Sequence, residues 1–193
     1  MNSGDLQGGH ARIHRIQLGA RAIKWAISLC NLIVLLFWLE DVLSILMPTH
    51  PLFVDGATID IGDTERGFAK MSLNQLLPLV ALVTVSYGLL GGITLSVRSV
   101  CLRFQTADFF SSRTLDAVFY SGVWFISYAT YNIAATPIAT YIATLDFPEG
   151  ERAIDVAIGG HEILSLILGA LMLLLGWVMR EAALLAEENT QII

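Results

Sequence analysis

Four long apolar runs, parted by short segments that carry most of the charge, constrain this chain more than any other feature. The first runs from Ile23 to Met47 and stops at Pro48, which cannot continue a helix. The second covers Leu73 to Val97, the third about Leu115 to Tyr141, and the fourth about Gly159 to Val178. Each is close to the roughly 20 residues that cross a hydrocarbon core as a helix. Each is also apolar on nearly every face, as a lipid-solvated helix is and an amphipathic helix of a soluble domain is not. The expected fold is therefore all-α: a polytopic, four-transmembrane-helix bundle with spans at about 23–47, 73–97, 115–141 and 159–178. It divides into an N-terminal tail (1–22), a transmembrane domain (23–178) and a C-terminal helix extension (179–193).

Composition agrees, with 55% hydrophobic and only 15% charged residues against about 25% charged in soluble domains. The net charge of −6 and the lack of a dense basic face exclude direct nucleic-acid binding. Cys30 and Cys101 form no CxxC and read as small apolar helix residues. A signal peptide would follow its apolar stretch with a small-residue cleavage site, but Glu40, Asp41 and more apolar residues follow here, so the first run is expected to be retained.

The cations set the orientation. Eight of them, Arg12, Arg15, Arg21, Lys24, Arg98, Arg103, Arg113 and Arg180, flank the runs on one side, and Arg66, Lys70 and Arg152 lie on the other. The positive-inside bias then places both termini and the middle loop in the cytoplasm of a bacterial cell, N-in and C-in across the inner membrane, as a multi-pass protein. The outer loops, 48–72 and 142–158, hold Asp55, Asp60, Asp63, Glu65, Asp146, Glu149, Glu151 and Asp155. Trp25, Trp177 and Trp38 fall near the boundaries, where amphipathic rings prefer to sit. TIDIGD in the first outer loop reads as a short strand or as disorder. In the cytoplasmic loop, Phe104, Phe109 and Phe110 alternate with Asp108 and Arg113, which suggests an interfacial turn, with Ser111 or Ser112 capping the third run.

Ionisable groups inside a membrane cost about 2.5–3.5 kcal/mol at its centre on insertion scales, so those present are candidates for function. Glu40 and Asp41 stand near the outer end of the first run, Asn132 in the outer half of the third, and His161 and Glu162 at the outer start of the fourth. Pointing inward, these five would form an outward-facing polar, ligand-binding vestibule; pointing to headgroups, they would simply be solvated. Tyr128, Tyr131, Asn74 and Gln75 lie at the same depth. No metal is expected at His161, since adjacent helix residues diverge by about 100° and bind one ion only with help from other helices. Haem is not expected either, because His161 is the only histidine within the runs. No catalytic residues and no cofactors are assigned, because a nucleophile elbow, an HExxH and a phosphate loop are all lacking.

Gly88 and Gly92 form a GxxxG in the second run, while Gly169 and Gly176 share a face of the fourth, so all four are candidates for close helix packing within the chain or in a homo-oligomer. Pro78 and Pro137 stand near the outer ends of the second and third runs as candidate kinks. After Trp177 the chain stays strongly helix-forming, ending in Glu187, Glu188 and Asn189.

The stretches ADFFSSRTLDAVFYSGVW and LILGALMLLLGWVMREAALLAEEN, with Phe110-Ser111 ahead of the third run, Gly122 within it and Leu185-Ala186-Glu187-Glu188-Asn189 at the close, resemble the uncharacterised bacterial membrane-protein family called domain of unknown function 2975. The likeness covers about the last hundred residues, and the first two runs only in hydropathy. It implies a small four-helix membrane protein, often beside a helix-turn-helix regulator, with no established reaction and no catalytic residues to transfer. The reading that results is a non-enzymatic sensing or interaction component with lipid bilayer around it and a cytoplasmic regulatory protein as its partner. The alternative is a small transporter or channel using the outer vestibule.

Overall fold

The computed structural model describes residues 3–53, 58–62, 64–106 and 111–191, with side chains described between 19 and 185 except at positions 20 and 64. Asp55, Asp63, Asp108, Phe109, Phe110 and the side chains of Arg12, Arg15, Glu187, Glu188 and Asn189 lie outside the described residues. Four long helices account for most of the chain: α1 (Ser3–Leu46), α2 (Leu73–Gln105), α3 (Ser112–Ala143) and α4 (Gly160–Gln191). Between α1 and α2 lie strands β1 (Thr58–Ile61) and β2 (Thr64–Gly67) and one short 3-10 turn, Phe68–Lys70.

α1, α2 and α4 each contain a stretch long and apolar enough to cross a membrane, at Arg21–Leu46, Leu73–Gln105 and Gly160–Leu185. α3 is as long as α4, at 32 residues, but its tyrosines, threonines, serines and Asn132 hold its hydropathy below theirs. The helices outrun the expected spans. α1 begins at Ser3 rather than at residue 23, α2 continues to Gln105 rather than ending near Val97, and α4 runs on past Val178 as the expected helix extension does. Helix formers such as Arg, Leu, Ala and Glu flank the apolar stretches and no proline interrupts these extensions, although α1 also carries Gly4, Gly8, Gly9 and Gly19. Pro78 and Pro137 lie within α2 and α3, which continue through them.

The burial pattern departs from that of a water-soluble protein. The largest fully buried side chains are Thr114, Thr140, Thr144 and Ser121, while Trp25 (68% exposed), Leu29 (58%) and Phe37 (55%) face outward. Water would not tolerate so continuous an apolar surface.

The chain divides into two compact units. One comprises Met1–Leu32, Gly91–Phe125 and Ile167–Ile193, and here the helices approach closely at glycines. A Cβ at Gly122 would stand 2.7 Å from the Gly169 carbonyl oxygen and 2.8 Å from the Leu173 amide nitrogen. One at Gly176 would stand 3.0 Å from Phe119, and one at Gly92 2.6 Å from the Trp124 ring. Two polar pairs join helices in the same unit: the Thr94 hydroxyl donates to Asn31 Oδ1 (2.6 Å), and the Ser96 and Ser121 hydroxyls share a bond of 2.8 Å. Ser111 caps α3, its Oγ accepting from the Thr114 amide at 3.3 Å.

The other unit comprises Ile33–Leu90 and Ile126–Leu166. Its core gathers Ile45, Leu76, Leu79 and Ala143 with Ile61, Phe68 and Met71, so the hairpin is packed rather than free. β1 and β2 pair antiparallel with Ile61 opposite Thr64, and Gly62 takes the left-handed φ of 59° that the turn requires. Four residues per strand could not hold alone. Arg66 anchors them: its guanidinium, 9% exposed, donates to both Asp146 oxygens and to the Ala143 carbonyl and lies 4.6 Å from the Phe147 ring centroid. Gln75, three residues into the Ser72-Leu73-Asn74-Gln75 start of α2, accepts from the Ser72 amide (2.9 Å) and donates to Asp146 (2.8 Å). This is half of a capping box, and its free end is used to reach across to the end of α3. Thr140 and Thr144 then receive the amides of Asp155 (3.0 Å) and Ala153 (3.3 Å), which fixes the extended segment leading to α4.

Candidate functional site

The Ile33–Leu90 and Ile126–Leu166 unit contains a cavity of about 250 Å3 lined by α1, α2 and α3. α2 presents Leu82, Val83, Ser86 and Tyr87, and α3 presents Asn132, Ala135, Thr136 and Ala139. On α3 the spacing is i, i+3, i+4 and i+7, one stripe of a helix. Asp41 of α1 completes the wall.

The polar groups come in pairs. Tyr87 donates its hydroxyl to Asp41 Oδ2 (2.7 Å), and Ser86 donates to Asn132 Oδ1 (2.8 Å), while Asn132 Nδ2 donates to the Tyr128 carbonyl (2.8 Å). Tyr131 donates to the Leu82 carbonyl (2.9 Å), and Trp38 to Thr84 (3.2 Å). Asn132 is thus held in one orientation by two bonds. The Asp41 side chain uses one oxygen for Tyr87, which leaves Oδ1 able to accept from a guest.

The five residues singled out from sequence do not all converge. Asp41 and Asn132 share the cavity. Glu40 is exposed beside it, close enough to bear electrostatically on Tyr87. His161 and Glu162 face each other at the start of α4, with Nε2 2.7 Å from Oε1. His161 is exposed, whereas Glu162 is 5% exposed and its Oε2 lacks a hydrogen-bond partner among the described residues. Among the described residues, no three His, Cys, Asp or Glu side chains are placed to hold a metal ion. Of the four glycines, Gly92 lies against the Trp124 ring, Gly176 against the backbone and Cβ of Phe119, the Gly169 carbonyl borders Gly122, and Gly88 faces open space.

Sequence reasoning passed over Ser86, Tyr87 and Thr136 as cavity walls. The i, i+4 spacing of Leu82 to Ser86, Val83 to Tyr87 and Asn132 to Thr136 carries the signal, but it becomes visible only once the two helices are set face to face. Arg66, Gln75 and Asp146 were legible as outer-loop and helix-start polar residues, though not as partners.

Every serine or tyrosine hydroxyl in the cavity donates to a carboxylate or amide rather than resting against a histidine base. No protein-family model, curated protein or solved structure matches this chain.

Proposed function

We propose that this chain is a multi-pass protein of a bacterial inner membrane that binds a small polar ligand in the Asp41–Tyr87–Asn132 cavity and signals its occupancy to a cytoplasmic partner. It performs no chemistry of its own. The observation that carries this reading is the cavity itself: polar side chains held in fixed orientations by hydrogen bonds, set among Leu82, Val83, Ala135 and Ala139. A mostly apolar hollow with a few oriented polar groups is what a small-molecule site requires. The Asp41 carboxylate favours a guest that brings an ammonium or hydroxyl donor.

Four spans and an N-in, C-in orientation belong to this proposal. At 1.5 Å per residue the 32 residues of α3 reach about 48 Å, longer than a bilayer core. The residues that lower its hydropathy are largely turned toward neighbours: Ser121, Thr140 and Asn132 are buried or hydrogen-bonded, while Phe119, Val123 and Ile138 face outward. The resemblance of α3 and the C-terminal helix to domain of unknown function 2975 points to the same small four-helix membrane protein beside a regulator.

Transport through the chain is the less favoured reading. A pathway needs groups that exchange partners with a moving solute. In the Met1–Leu32, Gly91–Phe125 and Ile167–Ile193 unit, Asn31 with Thr94 and Ser96 with Ser121 instead satisfy each other, as helix glue does.

The test is purification in mild detergent followed by native mass spectrometry. A retained small molecule that disappears in Asp41→Asn and Asn132→Ala, and a partner protein that disappears on deletion of residues 180–193 while the ligand stays, are expected. Retention unaffected by both substitutions overturns the site, and solute flux through liposomes of the pure protein moves the function to transport.

A further inference from the structure

A second cavity, of about 350 Å3, lies within the Met1–Leu32, Gly91–Phe125 and Ile167–Ile193 unit, between the last turns of α2 and the first turns of α3. α2 contributes Ser96, Ser99 and Arg103, spaced i, i+3 and i+7, and α3 contributes Arg113, Asp116 and Tyr120 with the same spacing. The two stripes thus present an arginine each to a common space. Arg103 also borders an adjoining hollow of about 290 Å3 with Leu102 and Thr106.

Among the described residues these cations outnumber the acids beside them. Among the described residues, none of Arg98, Arg103 and Arg113 forms an ion pair. The buried Nε atoms of Arg98 and Arg103 have no acceptor, a condition that costs free energy until one arrives. Among the described residues the one carboxylate on the cavity wall, Asp116, is 3.9 Å from Arg180, a fourth cation, so their positive charge is in excess. The amino end of α3 begins at Ser112, beside Arg113, and adds its positive dipole end to the same side. The Ser99 hydroxyl donates to the Ser96 carbonyl (2.7 Å), which leaves its lone pairs toward the cavity as acceptors for a protonated oxygen.

We propose that this cavity binds a phosphate group, its oxygens taken by the guanidinium forks of Arg103 and Arg113. The planar guanidinium presents two parallel N–H donors whose spacing matches two oxygens of a phosphate group. The group comes either from a phospholipid headgroup or from free phosphate in solution. Asp116 sets the selectivity: its negative charge disfavours a second full charge on the guest and favours a singly charged phosphate, with Arg180 holding the carboxylate at the rim.

The test uses the full chain in maltoside micelles, which contain no phosphate. Inorganic phosphate and short-chain phosphatidylglycerol are titrated separately, with binding read by native mass spectrometry and by the rise in unfolding temperature. At least one should bind saturably, and Arg103→Gln and Arg113→Gln should each weaken it about tenfold. Lys70→Gln, which removes a cation from the other unit, should leave binding as in the parent. Binding of the lipid alone identifies the headgroup as the source, and equal binding of inorganic phosphate identifies the free anion. Should an arginine variant fail to keep its helix content, Asp116→Asn decides, because the proposal requires it to bind phosphate more tightly than the parent. No saturable binding of either ligand, binding indifferent to both arginines, equal weakening by Lys70→Gln, or unchanged affinity in Asp116→Asn each overturns the proposal.

Discussion

Arg66 and Asp146 lie 80 residues apart in the chain yet meet through two parallel hydrogen bonds, Nη1 to Oδ1 at 2.8 Å and Nη2 to Oδ2 at 2.6 Å. This pair and Gln75 tie the hairpin, the start of α2 and the end of α3 into one assembly. Hydrogen bonds from Gln75 and then Arg66 hold the Asp146 carboxyl below its ordinary range. A depressed carboxyl stabilises the fold at pH values above its unfolded pKa, and that stability is lost as pH falls through the folded value. Stability of the parent protein should therefore decline below about pH 4, and Asp146→Asn should flatten that decline. Arg66→Gln should lower the unfolding temperature at neutral pH and expose the hairpin to protease at 58–67. Thermal melts across about pH 2 to 6, roughly two units either side of the usual aspartate pKa of about 4, check both, and an unchanged pH profile in Asp146→Asn refutes the assignment.

The helix contacts grade three glycines by space alone. Gly122→Ala places its methyl against backbone atoms of α4 at 2.7 and 2.8 Å, which cannot yield without moving a helix. It should cost about 1–3 kcal/mol, the usual penalty of overpacking. Gly92→Ala meets the Trp124 ring, a side chain that can shift, and should cost less. Gly88→Ala meets nothing within 4 Å and should be neutral or slightly stabilising, since alanine favours helix. Chemical or thermal unfolding in detergent ranks them, and a destabilised Gly88→Ala beside a neutral Gly122→Ala would reverse the account.

The Ser86 to Asn132 bond joins α2 to α3 in the cavity wall. A double-mutant cycle with Ser86→Ala and Asn132→Ala should show a coupling of about 0.6 kcal/mol, the mean for interhelical hydrogen bonds in membranes. A coupling indistinguishable from zero would mean that the pair neither positions Asn132 nor shapes the cavity.

The orientation is open to direct labelling once Cys30 and Cys101, both free thiols, are replaced by serine. A cysteine introduced at Glu149 should react with a membrane-impermeant maleimide in intact cells, and one at Arg180 only after lysis. The opposite pattern would invert the topology, and labelling of both from outside would remove one span.

How much of this was legible beforehand depends on the reach of the interaction. Helix formation and the avoidance of water by Ile23–Met47, Leu73–Val97 and Gly159–Val178 are local properties, repeated residue after residue, so three helices apolar enough to cross a membrane follow from order and composition. The Ser111 cap is equally local. α3 is the harder segment to read, since Thr114, Ser121, Thr140 and Asn132 lower its hydropathy while being buried or hydrogen-bonded, and hydropathy has no knowledge of direction.

What only the tertiary structure decided is the pairing of distant groups. TIDIGD allowed either a strand or disorder, and the outcome turned on Arg66 finding Asp146 and on Ile61 finding the ends of α1, α2 and α3. Likewise Asp41, Ser86, Tyr87 and Asn132 are separate polar residues on three helices until helix packing makes them one wall. Periodicity determines which face a residue occupies, but the relative rotation and register of two helices arise from many weak contacts summed over both. A single apolar segment, read alone, carries no record of that sum.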